Sequence, residues 1–393
     1  MNRKKEGKKK KKKVKGMRGG PVERELENQN AEWWSKFDSL GDVDKLDFLD
    51  ATLDTESAKD DFWVGGRPFD AFNDTFYELV PKGKLEECIK LLEKFRERKP
   101  DWYRRDYPFY DYKLVYYYAA REERDKLREA LRYFLEEPER DVDCLSIVLD
   151  TLRLYGFAEE TYQISKAAYQ RLKDSERIVP DAIDELRQLL IFCMIRGYIT
   201  SHDEGEEEAR RRLHEDMAWL ASIDAMDDEE FAKIEIGLQR IIKILCGEEV
   251  KEWKRADFFT TRKGCRGNVH IIAMEFVRYM HEQGFEWVTG DMMREVAIGY
   301  FESKDEDRFF FTFSKDSFEE YLSMLLGFIS LYDMRGMAAP KALKYVCTFL
   351  CEKGVLSDDE MSVIAEGIEE LNEELRERRE RDAWKYRFLE EWA

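Results

Sequence analysis

The chain has 393 residues and a formal charge of −19, with 38% of residues charged, 43% apolar and 13% aromatic. That apolar and aromatic share excludes a chain disordered throughout. The longest uninterrupted apolar run, Leu189 to Ile195, is far short of the ~20 residues that a membrane-spanning helix requires.

The first 19 residues differ in kind from the rest. Eleven Lys and Arg (Arg3, Lys4, Lys5, Lys8, Lys9, Lys10, Lys11, Lys12, Lys13, Lys15 and Arg18) face a single Glu6, so this block carries +10 and leaves −29 for the remainder. A like-charge run of this kind cannot pack and is expected to be disordered. It could neutralise phosphates of RNA or DNA, with Lys8 to Lys13 as the contacts and a steep salt dependence. Like-charge runs are common and unspecific, and a solubilising tail, or one that folds back on the acidic body, fits it better. No apolar stretch follows it, so it does not read as a secretory signal, and the expected location is the cytoplasm.

Residues 31–54 read as helical, with Trp33, Trp34, Phe37, Leu40, Leu46, Phe48 and Leu49 on the apolar side and a break at Gly41. Residues 59–68 read as a loop, and Phe69 to Leu79 as the next helix. From Gly83 to Pro100, Leu85, Cys88, Ile89, Leu92 and Phe95 share one face opposite a row of charges.

Asp101 to Tyr118 is dense in aromatics, interleaved with Arg104, Arg105 and Lys113. Such residues can stack on bases or hold a peptide. They can also simply pack between helices, to which their density gives more weight. The residues singled out for partner binding are Trp102, Tyr103, Arg104, Arg105, Tyr110 and Tyr117. Helix pairs are then expected over 107–135 and over 142–172, with a turn at Gly156, and a strongly apolar helix over 181–196.

Pro100, Pro138 and Pro180 recur at intervals of 38 and 42 residues. Helix pairs repeating every ~34–47 residues are the mark of helical solenoids. The run Gly83-x-Leu85-x-x-Cys88-Ile89-x-x-Leu92, continued by Phe95 and Pro100, resembles the second half of a tetratricopeptide repeat. In the preceding helix Phe72 and Thr75 stand where that family has Trp and Leu. The resemblance implies stacked helix hairpins and carries over no ligand-binding residue.

Ser201 to Glu208 is an acidic stretch that could divide two halves. Beyond it, Asp227-x-x-Glu230, Ser317-x-x-Glu320 and Ser357-x-x-Glu360 each read as a helix-opening box. Thr289 or Asp291 is the expected cap of a helix from Trp287 to Phe301, and Pro340 the expected start of another. The polar connector Phe258 to Asn268, with Arg262, Lys263, Gly264, Cys265 and Arg266, could hold an anion but lacks a P-loop pattern, and a plain surface loop fits it better. The last helix turns polar, with favourable i,i+4 pairs Glu374–Arg378 and Glu377–Arg381. Trp384, Phe388 and Trp392 follow, and could dock a partner or pack on their own helix.

Seven scattered cysteines form no disulfide framework and fit a reducing compartment. Cys347 and Cys351 share a helix face, and Cys265, His270 and His281 could complete a metal site; the ligand spacing is missing, and buried thiols are the ordinary case. His202 and His214 lie in solvated acidic sequence, where acid–base chemistry lacks tuning. No catalytic, cofactor or metal site is therefore expected.

The expected fold is all-α, built of antiparallel helix hairpins stacked as an α-solenoid of the tetratricopeptide or HEAT kind. The expected regions are a basic tail at 1–19, a helical-repeat region at 20–200 and a helical region at 201–393 ending in a long charged helix. The function these features imply is a non-enzymatic scaffold that binds a protein or peptide. The alternatives are a nucleic-acid-associated factor (RNA, DNA or ribosome) anchored by its tail, and a helical enzyme or ligand-binding domain without a recognisable motif. The sequence does not set an oligomeric state.

Overall fold

The computed structural model describes residues 31–54, 68–176, 178–202, 205–303, 309–326 and 333–382. The basic tail with Lys8 to Lys13, the loop up to residue 67 and the aromatic residues Trp384, Phe388 and Trp392 lie outside them. The i,i+4 pairs of the last helix fall where side chains are not described. The described residues are all-α, with a single isolated bridge between Phe259 and Phe309. Among them no helix is long and apolar enough to cross a membrane.

The chain divides into two compact units, Met1–Pro100 and Asp101–Ala393. In the first, helix α1 covers 31–39, α2 Asp42–Asp54, α3 Pro68–Leu79 and α4 Leu85–Arg98. The break at Gly41 falls between α1 and α2. Trp33 stacks on Phe37 at 5.2 Å between ring centroids, and Phe37, Leu49 and Leu53 are buried. Phe72 stacks flat on Phe95 at 4.3 Å and so joins α3 to α4. Lys94 ties α4 to α2 through Asp50 at 2.8 Å and Asp54 at 2.6 Å.

In the second unit the short α5 (Pro100–Tyr103) leads into α6 (Tyr107–Ala120) and α7 (Arg124–Glu136). Next come α8 (Val142–Leu154), α9 (Ala158–Leu172), α10 (Pro180–Ser201) and α11 (Glu206–Asp224). Helix α6 packs on both α7 and α8, α7 on α9, α9 on α8 and α10, and α10 on α11. Nearly every side chain of α6 is buried, because neighbours cover it on several sides.

The chain continues through α12 (Asp228–Leu245), α13 (Cys265–Glu282), α14 (Trp287–Glu302), α15 (Lys315–Leu325), α16 (Asp333–Glu352) and α17 (Asp358–Asp382). These too pack mainly in chain order, α14 against α13 and α16, and α17 against α15 and α16. Helix α8 departs from that order by packing on α14 and α16, far away in sequence. Residues on both sides of position 201 consequently belong to one unit.

Several helix boundaries differ from expectation for local reasons. Ser314, not Ser317, caps α15; its side chain accepts from the Ser317 amide. Glu286 caps α14 by accepting from Val288 N at 3.1 Å, which releases Thr289 and Asp291 for other partners. Pro340 lies inside α16 rather than at its start. That helix begins earlier at Asp333, and Gly336 there lets its backbone pass close to Leu326: a Cβ at 336 would meet Leu326 Cδ2 at 2.7 Å. Helix α13 begins at Cys265, inside the basic connector.

Candidate functional site: an arginine surface on aromatic rings

At the end of the second unit where α6 begins and α7 finishes, four aromatic side chains form a floor. Tyr103 and Tyr107 are fully buried, and Trp102 and Tyr133 nearly so. Tyr103 Oη donates to Asp111 Oδ1 at 2.5 Å, and Tyr107 Oη donates to the Glu137 carbonyl at 2.8 Å. The second bond holds the start of α6 against the end of α7. The Tyr107 and Tyr133 rings lie 5.1 Å apart. Buried hydroxyls need such partners, and here they also fix the rings.

Four exposed arginines, Arg104, Arg105, Arg132 and Arg140, lie on this floor. Arg105 places its guanidinium carbon 3.8 Å from the Trp102 ring centroid. Arg132 lies 4.7 Å and Arg104 5.2 Å from the Tyr133 centroid, and Arg140 5.8 Å from that of Tyr107. Each contact contributes on the order of 0.5–1 kcal/mol at an exposed site.

The acids nearby serve only two of the four. Arg104 Nη2 reaches Glu137 Oε1 at 2.5 Å and Glu136 Oε2 at 3.4 Å. Arg140 Nη1 reaches Glu137 Oε2 at 3.3 Å, while its Nη2 donates to the Arg105 carbonyl. Arg104 holds the Glu137 carboxyl below the usual carboxylate range, with Arg140 adding to the effect. Among the described residues neither Arg105 nor Arg132 makes an ion pair.

The six residues singled out from sequence thus divide. Trp102, Tyr103, Tyr110 and Tyr117 are buried, their rings used in packing. Tyr110 lies 5.1 Å from Tyr103, and Tyr117 carries Arg121 at 3.9 Å near the other end of α6. Arg104 and Arg105 are at the surface, on the aromatic floor. Sequence reasoning missed Arg132, Arg140 and Tyr133. The available signal was Tyr133 beside the apolar stripe of α7, which would bring its neighbour Arg132 toward the aromatic run of α6.

Lys113, the third basic residue of that run, is fully buried in α6, where Nζ donates to the Phe109 carbonyl at 2.5 Å. Burial brings its pKa down to about 7.

A second set of charges lies inside the unit, where α8, α14 and α16 meet. Arg153 is buried and reaches Asp291 at 3.0 Å, Glu295 at 2.9 Å and Asp150 at 3.8 Å. Arg294 binds the other oxygen of Asp291 at 2.8 Å. Arg335 binds Asp150 at 2.8 Å and lies 3.8 Å from Glu185. Thr289 Oγ1 donates to the Arg153 carbonyl at 2.6 Å. Burial pushes the Asp291 carboxyl up despite Arg294 and Arg153. Burial acts on Glu295 too, but Arg153, Arg294 and Arg335 outweigh it and hold that carboxyl low. Three arginines (Arg153, Arg294 and Arg335) thus meet four carboxylates (Asp150, Asp291, Glu295 and the more exposed Glu185), and the network joins helices to one another.

The suggested metal ligands are apart in role. Cys347 is buried, and Cys351 Sγ donates to Asp358 Oδ1 at 3.2 Å. His281 Nδ1 lies 3.0 Å from the Phe285 carbonyl, and its ring stacks on Trp287. Among the described residues no three His, Cys, Asp or Glu side chains gather as metal ligands would. Comparison with known proteins adds no relative to this geometry: no family model, no curated protein and no solved structure matches the chain.

Proposed function

We propose that this protein is a helical scaffold that binds another protein or a peptide, and that the arginine-bearing end of the α6–α7 hairpin is its contact surface. One observation carries the reading. Arg105 and Arg132 are exposed, lie over the rings of Trp102 and Tyr133, and make no ion pair among the described residues. Aromatic residues and arginine are the types enriched where proteins bind each other. The fixed floor lowers the entropy lost when a partner arrives. Helices α6 to α9 lie against one another as consecutive hairpins, in keeping with a repeat scaffold of the tetratricopeptide kind. Seven free thiols support a reducing compartment such as the cytoplasm.

The test is capture of partners from the source cell on the full chain and on an Arg105→Glu/Arg132→Glu variant. A protein retained by the wild type and lost from the variant supports the reading. Identical retention on both refutes it.

The tail gives a second reading, a nucleic-acid-associated role. The +10 carried by residues 1–19 motivates it, with Lys8 to Lys13 as contacts. It requires RNA or DNA binding that weakens with salt and disappears when residues 1–19 are deleted; binding unchanged by the deletion removes it.

A further inference from the structure

We propose that residues 1–19 of this chain dock on the acidic face that α1 and α3 share, so that the basic tail is sequestered by its own helices. The proposal goes beyond both readings above and depends on neither.

The face is built by spacing. Asp70, Asp74 and Glu78 follow one another at i, i+4 and i+8 along α3, which sets three carboxylates in one row. Like charges at that spacing repel one another. The last turn of α3 holds no basic residue, so Glu78 meets the negative end of the helix dipole. Asp38 of α1 adds to the row. Burial, then the charges of Asp70, Glu78 and Asp38, raise the Asp74 carboxyl above its usual range, and Lys45 acts the other way. The charges facing Asp74 are therefore three carboxylates and one ammonium, and that ammonium is 2.8 Å from Glu78. At the end of α2 the balance is different. Lys94 pairs with both Asp50 and Asp54, and Arg98 also acts on Asp54.

The chain carries its own counter-charge. Residues 31–54 and 68–79 hold ten Asp and Glu against two Lys, whereas residues 1–19 hold eleven Lys and Arg against one Glu. The tail belongs to the same compact unit as α1 and α3. Residues 20–30 join it to α1, and such a tether spans at most about 40 Å. Helix α1 and the row on α3 are each about 12–14 Å long, so the row lies within reach. A tethered segment meets its site at an effective concentration of about a millimolar. Consecutive lysines at 8–13 need no particular fold to lie along a row of carboxylates.

Other acidic stretches suit the tail less well. Asp227 and Glu360 stand at helix starts, where the dipole favours a carboxylate. Asp227 already accepts from two backbone amides, and Glu360 is held by Arg255. A phosphate polymer would compete with the α1–α3 face for the same lysines, so docking weakens any binding of nucleic acid by the tail.

The experiment couples amines to carboxylates in the full-length protein with a water-soluble carbodiimide, and mass spectrometry reads which pairs have joined. It is run at about 10 mM salt, where charges act over ~30 Å, and at about 1 M, where they act over ~3 Å. The expected products link Lys8 to Lys13 with Asp38, Asp70, Asp74 or Glu78, and they disappear at high salt. Joining of the tail only to other carboxylates, or no joining at all, overturns the proposal. Links found only between an isotope-labelled and an unlabelled copy would place the tail on a second chain and overturn it too. A second measurement times tryptic cutting of the tail at low salt. An Asp38→Asn/Asp70→Asn/Asp74→Asn variant should be cut severalfold faster than the wild type. A Glu319→Gln/Glu320→Gln/Glu366→Gln variant, which loses the same charge from exposed positions on α15 and α17, should keep the wild-type rate. Hydrogen exchange over α2 and α4 confirms that the first variant is folded, and the links in the wild type decide the matter if it is not. An unchanged rate in the first variant, or equal acceleration in both, contradicts docking on this face.

Discussion

Arg153 is buried among carboxylates, and its value to the fold lies in what its removal would leave behind. Burying charges is costly, so the network with Asp150, Asp291 and Glu295 has a small net worth, yet each member depends on the others. Arg153→Met takes from Glu295 its nearest cation, at 2.9 Å, and leaves Asp291 to Arg294 and Asp150 to Arg335. Urea unfolding should show a loss of about 3–5 kcal/mol; a loss below about 1 kcal/mol would mean that the carboxylates already have sufficient partners. Lys113 makes a different prediction. Its pKa is near 7 in the folded chain and near 10.5 when solvated. Between those values the unfolded chain holds one more proton, so this residue makes stability rise with pH across that window and adds no slope below it. Lys113→Met removes the effect while roughly conserving volume. The variant should gain stability over the wild type at pH 7, and the gain should shrink toward pH 10. Parallel pH profiles for the two proteins would show that the amine is solvated.

At the scale of the helices, the features legible in the sequence were those set by local chemistry. Asp227 accepts from the amides of Glu229 and Glu230 at 3.0 and 2.9 Å and starts α12, so Asp227→Ala should cost about 1 kcal/mol in thermal or urea unfolding. Ser357 and Glu360 cap α17 reciprocally. Gly156 turns the chain between α8 and α9 at φ +72°, and a Cβ there would lie 3.1 Å from Glu286 Cβ. Gly156→Ala should therefore destabilise by about 1–2 kcal/mol, and an unchanged midpoint would show that the turn relaxes freely. What the sequence concealed depends on distant partners. Asp291 sits where a cap residue could stand, and only the fold reveals Arg153 beside it. Pro340 has the chemistry of a helix start, but the helix extends seven residues before it. Asp150 and Arg153, set among the leucines of α8, were the visible hint of a buried network. In the aromatic run, only the packing of α6 against α7 separates the buried tyrosines from the surface arginines.

Across the molecule, the consecutive hairpins from α6 to α9 follow from apolar faces that one pair cannot cover alone. The packing of α8 on α14 and α16 requires residues more than a hundred positions apart, and periodicity carries no information about it. Those ties place 101–200 and 201–393 in one compact unit. The most direct measurement of the central claim is hydrogen exchange on the full chain, free and in complex with a protein captured from its own cell. Slowed exchange at residues 102–107 and 132–140 is the predicted result. Unchanged exchange there, with slowing confined to residues 1–19 or to helices remote from α6 and α7, would contradict it.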